Sequence, residues 1–130
     1  MRVVGEQAYD LSYHMAIQRL RLIEQKVKAH EMAHKAVGGQ YVGSVHYSYT
    51  LGPDGRLYIT GGEVSIDMSE GKNPEETIRK MQMVRAAALA PADPSPQDYR
   101  VAMQATLKEM RARLELQMQK NRGEGFELRV

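Results

Sequence analysis

Apolar and polar residues recur along this chain with two different periods, and the change from one to the other marks out its elements. From Leu20 onward the inward-suited positions fall at steps of three and four, as Leu20, Ile23, Val27, His30, His34 and Val37, which is one stripe of an amphipathic helix. No Gly or Pro interrupts Arg19 to Val37, and Gly38-Gly39 follows as a stop signal. The spacing predicts a helix from about Ser12 to Val37, capped by Asp10 or Ser12, with residues 1–10 as a loose lead-in. Beyond the two glycines the period shortens to two. Tyr41 to Leu51 and Arg56 to Thr60 read as strands joined by the turn Gly52-Pro53-Asp54-Gly55. Gly61-Gly62 is expected to break the second strand. Glu63-Val64-Ser65-Ile66-Asp67 then alternates again, with Val64 and Ile66 on one side and Glu63, Ser65 and Asp67 on the other.

The helical period returns twice more. Asn73-Pro74-Glu75-Glu76 has a capping residue, a proline at the first helical position and acid in the first turn. Its helix is expected to reach about Leu89, with Ile78, Met81, Arg85 and Ala88 or Leu89 on one face, and Ala86-Ala87-Ala88 would let another helix approach closely. A connector with Pro91, Pro94 and Pro96 follows. Ser95-Pro96-Gln97-Asp98 repeats the start signal for a last helix ending near Lys120 or Asn121, and residues 122–130 read as a loose end. The expectation is an α+β fold in one domain spanning residues 1–130: a long helix, a small hairpin or three-stranded sheet, and two further helices.

Composition narrows this picture. The 130 residues are 42% hydrophobic, enough for a single modest core. There is one Phe, no Trp and nine Met, so the core is expected to be aliphatic and filled with Met. The absence of Cys excludes disulfides and thiolate ligands. A formal net charge of +2 is too small to argue for nucleic acid or an anionic membrane, and neither is expected as a partner. The basic residues of the last two helices are interleaved with acids, which suits a solvated face. No apolar run approaches the length of a membrane span, and the first residues lack the apolar core of a signal peptide. The expected setting is cytoplasmic, for a whole chain or for a domain cut from a longer one.

The chemistry is concentrated in His30-Glu31-Met32-Ala33-His34, which reads H-E-x-x-H. Residues four apart on a helix lie one above the other, so two imidazoles can reach one ion. Glu31 projects about 100 degrees further round, beside a metal without ligating it, where it can take a proton from a metal-activated water. The bland alternative is two hydrogen-bonded core histidines and a solvated Glu31. Two histidines one turn apart are hard to satisfy away from water, and a shared metal satisfies both.

A third ligand must come from His or carboxylate. Glu63 is the leading choice because it follows two glycines that let the backbone bend and has no ordinary structural role. Asp67, on the same strand face, is cast as a partner that orients a metal-bound histidine, and His46 on the hairpin is a further candidate. His46, Tyr47, Tyr49 and Tyr58 are available to steady an oxyanion, although each suits a strand.

The segments AHEMAH, GGQY, GPDG, GGEVSID, TIRKM and AALAPADPS together resemble the SprA-related family, described as bacterial zinc metalloproteases of the zincin type. The likeness spans Val27 to Asp98. It implies His30 and His34 as zinc ligands and Glu31 as the catalytic carboxylate, with Glu63 and Asp67 as further polar site candidates. The expected function is hydrolysis of peptide or protein substrates with Glu31 as general base. The alternative is a non-catalytic zinc-binding or protein-interaction module on the same scaffold. The stripe Met103, Leu107, Met110, Leu114, Met118 is expected to pack as core on the first helix, its other readings being a surface that docks a partner or the seam of a homodimer.

Overall fold

The computed structural model describes the backbone of residues 4–128 and the side chains of residues 10–123. The fold is α+β, in the order α1 (Val4–Gly38), a single 3-10 turn (Gly39–Tyr41), β1 (Val42–Leu51), β2 (Leu57–Ile66), α2 (Pro74–Ala88) and α3 (Pro96–Leu128). The sheet is one antiparallel hairpin. The chain divides into two compact units, Met1–Met32 with Ser44–Ser65, and Ala33–Gly43 with Ile66–Val130.

In the first unit the helix and the hairpin are joined by a side chain and a glycine. Glu24 Oε2 accepts a hydrogen bond from the Ile59 backbone N–H at 2.8 Å, supplying a partner to a strand group that the hairpin ladder leaves over. A side chain at Gly62 would place its Cβ 3.1 Å from Glu31 Cγ and 3.2 Å from Val27 Cγ1. Gly62 therefore permits the close approach of β2 to α1. For the same reason Gly61-Gly62 does not break the strand, contrary to expectation, and β2 runs unbroken through both. At the hairpin tip, Gly55 has φ +79 and donates to the Gly52 carbonyl, as the Pro-Asp-Gly turn requires. Tyr58, 2% exposed, lies over Gly52 and donates its hydroxyl proton to Asp54 at 2.5 Å.

In the second unit α2 packs against α3 around Met81, Val84 and Ala105, joined by Tyr41, Ile66, Met68 and Val101. The start signals act as read. Asn73 Oδ1 accepts from the Glu76 N–H at 2.8 Å, with Pro74 in the first turn. At α3, Ser95 Oγ accepts from the Asp98 N–H at 3.0 Å while Asp98 Oδ2 accepts from the Ser95 N–H at 2.8 Å, a reciprocal capping box. Gly39, with φ +52, ends α1 in the left-handed region. A Cβ on Gly38 would fall 2.9 Å from Ala87 Cβ, so the end of α1 and the Ala-rich end of α2 meet as the small residues suggested.

Three expectations are corrected. Helix α1 already runs from Val4 and α3 continues to Leu128, so the stretches read as loose ends are helical over 4–10 and 122–128; residues 1–3 and 129–130 lie outside the described residues. Val37 is exposed, and Gly38 is buried one turn after His34 instead. The Met-rich stripe is not core: Met103, Leu107, Met110, Leu114 and Met118 are all at least half exposed. The opposite face of α3 is buried, through Ala102, Ala105, Glu109 and Ala112. Small alanines bring α2 within packing distance, and a face of Met and Leu would hold it off. No helix among the described residues is long and apolar enough to cross a membrane.

Two carboxylates tie the second unit together. Ser69 and Lys80 hydrogen-bond Asp67 and hold its carboxyl far below the usual range. Burial pushes Glu109 up, but the bonds from Arg85, Arg113 and Gln82 outweigh it and leave it lowered. Both groups bind protons less readily folded than unfolded, so their stabilisation is full above the ordinary carboxylate range near pH 4 and is lost as pH falls from there through their lowered folded values. The midpoint of thermal unfolding is expected to drop on acidification below about pH 4, and the difference between the parent protein and Asp67→Asn should shrink over the same interval. A difference that does not change with pH would remove Asp67 from this account.

Candidate metal centre

His34 is 2% exposed and held from two sides. Its Nδ1 lies 2.8 Å from the carbonyl oxygen of Ala87 near the end of α2. Its Nε2 lies 3.2 Å from Asp98 Oδ1 in the first turn of α3. A carbonyl can only accept, so Nδ1 carries the proton that it donates. In the neutral ring Nε2 is then an acceptor, and it faces a carboxylate oxygen that also accepts. Two acceptors at this distance repel unless a proton or a cation stands between them.

His30 sits one turn earlier on α1 and is half-buried. His30, His34 and Asp98 each offer one ligand atom, and these atoms lie within 4.8 Å of one another. Two imidazole nitrogens and one carboxylate oxygen are a donor set that suits zinc. The Ala87 carbonyl fixes the tautomer that leaves His34 Nε2 for an ion, a role usual for an outer partner of a ligating histidine. Glu31 is 4% exposed and its Oε2 is shielded from solvent. The bland expectation of a solvated Glu31 therefore does not hold, and a buried carboxylate stands next in sequence to the first histidine.

The other candidates lie elsewhere. Glu63 is exposed on β2 and is not a member of the three-residue group, in which the carboxylate comes from Asp98. Asp67 is engaged by Ser69 and by Lys80 at 2.9 Å, and the Lys80 ammonium in turn lies over the Tyr41 ring. His46 and Tyr49 are exposed on β1. Tyr58 is committed to Asp54, and Tyr47 packs beside Gly62. Asp98 escaped the sequence reading because the helix-start signal already accounted for it. That account is right for one oxygen, since Oδ2 closes the capping box and leaves Oδ1 for His34.

A long helix that carries two histidines one turn apart, with the start of a later helix turned toward the second, defines the class of site. The sequence profile of the SprA-related family matches residues 4–124, and the chain belongs to that family. Comparison with curated proteins and with solved structures gives no match.

Proposed function

We propose that the protein is a zinc-dependent peptidase in which His30, His34 and Asp98 hold the metal and Glu31 carries the proton. The observation that supports it most is the facing of His34 Nε2 and Asp98 Oδ1 across 3.2 Å, with His34 Nδ1 already spent on a carbonyl. A cation or a proton between the two atoms satisfies that arrangement, and His30, as the next donor, favours the cation. When bound, zinc supplies Lewis acidity, which polarises a peptide carbonyl and makes water a stronger acid. The chain's own residues do the rest. The Ala87 carbonyl orients His34 through Nδ1, the capping box holds Asp98 at the start of α3, and the Glu31 carboxylate accepts the proton of the attacking water and returns it to the leaving amine nitrogen.

The second reading is a non-catalytic zinc centre on the same scaffold, favoured by the burial of His34 and Asp98. Both readings expect about one zinc per chain in protein purified without chelators, the usual stoichiometry of such a centre, and a lower unfolding temperature after the metal is stripped. Protein that carries no metal and shows no thermal response to added zinc would end both.

A further inference from the structure

The apolar stripe of α3 is left exposed among the described residues. Tyr99, Met103, Leu107, Met110, Leu114 and Met118 follow one another at intervals of four, four, three, four and four. They are between 50% and 66% exposed. The positions repeat every eleven residues, Tyr99 with Met110, Met103 with Leu114 and Leu107 with Met118. An eleven-residue repeat corresponds to about 3.67 residues per turn, so the stripe runs nearly straight along the helix. The series of intervals also reads the same in both directions. An antiparallel copy of α3, turned about a two-fold axis between Leu107 and Met110, would set Tyr99 opposite Met118, Met103 opposite Leu114 and Leu107 opposite Met110.

We propose that α3 is the interface of a two-fold homodimer, in which the stripe packs antiparallel against the same stripe of a second copy. A two-fold interface is built from one patch that must fit itself, and the reversible spacing meets that condition. An unlike partner or a lipid surface imposes no such condition. Charge along the seam is mixed: in this register Arg100 comes within a turn of Glu115 of the second copy, whereas Lys108 comes level with its own counterpart, its ammonium being drawn aside to the Met68 carbonyl at 2.6 Å. The area is adequate as well. At roughly 100 Å² of exposed side chain apiece, six residues from each copy remove about 1,200 Å² from water, the lower bound of a standard specific interface. Thioether chains suit such a seam because they adapt to one another's shape.

The test uses the full chain, whose monomer mass is 14.7 kDa, and none of its readouts depends on peptide hydrolysis or zinc. Sedimentation equilibrium is expected to give twice the monomer mass. Leu107→Glu, at the two-fold axis and exposed in the single chain, is expected to raise the dissociation constant about 30-fold or more while the circular dichroism spectrum is unchanged. The register is read by cross-linking, since the chain has no native Cys. A mixture of the single variants Met103→Cys and Leu114→Cys should form the mixed disulfide on oxidation. Each variant alone should not, because eleven residues of helix separate its two thiols by about 16 Å. Monomer mass at all concentrations overturns the proposal, as does a dimer indifferent to Leu107→Glu. Disulfides between like residues, or monomers that float with vesicles containing phosphatidylserine, overturn it too.

Discussion

Glu31→Gln is expected to keep its zinc and to lose peptide hydrolysis by about 10²–10⁴-fold, the range that a positioned proton carrier contributes. The substitution is close to isosteric, so the burial of this side chain and its closeness to Gly62 are preserved. The amide cannot accept the proton of water, which is the only property the change removes from the proposed reaction. Turnover of a peptide pool by the parent and the variant, with zinc content measured on both, decides between the two zinc readings. A variant that keeps zinc and keeps turnover takes Glu31 out of the chemistry. A parent that holds zinc and cleaves nothing leaves the non-catalytic centre.

His34→Ala is expected to strip the metal and to destabilise the fold by about 2–4 kcal/mol even without zinc, because it opens a cavity and takes the Nδ1 donor away from the Ala87 carbonyl. The identity of the third ligand turns on a smaller set of changes. Asp98→Asn keeps an acceptor for the capping box but loses the charge, and it should weaken zinc binding strongly. Ser95→Ala damages the same box, at about 1 kcal/mol, and should bind zinc normally. Glu63→Ala, at an exposed position on β2, should also bind zinc normally. Isothermal titration with zinc on the three variants separates the assignments: loss with Glu63→Ala and retention with Asp98→Asn would restore Glu63 as the ligand.

The starts of α2 and α3 and the stop of α1 were legible because each depends on a few adjacent residues. Asn73-Pro74 and Ser95-Pro96 satisfy backbone donors within their own first turn, and Gly39 takes up a left-handed conformation that side chains resist. The H-E-x-x-H spacing is equally local, since four residues make one turn whatever the rest of the chain does. Gly61-Gly62 misled because glycine lowers strand preference locally, whereas here its missing Cβ serves a contact with Val27 and Glu31 that lies more than thirty residues away in sequence.

Long-range choices were not legible for a different reason. Both faces of α3 are apolar enough to be buried, one by alanine and one by Met and Leu, and periodicity counts hydrophobic positions without weighing how near a neighbouring helix must come. The approach of α2 at Met81 and Val84 selects the alanine face. Asp98 had a complete local explanation, and its second oxygen acquired a role only when the start of α3 was brought to His34. The order of elements, the caps of α2 and α3 and the two histidines thus follow from neighbours along the chain. The third donor, the buried face of α3 and the burial of Glu31 follow from packing, which compares residues that the chain keeps far apart.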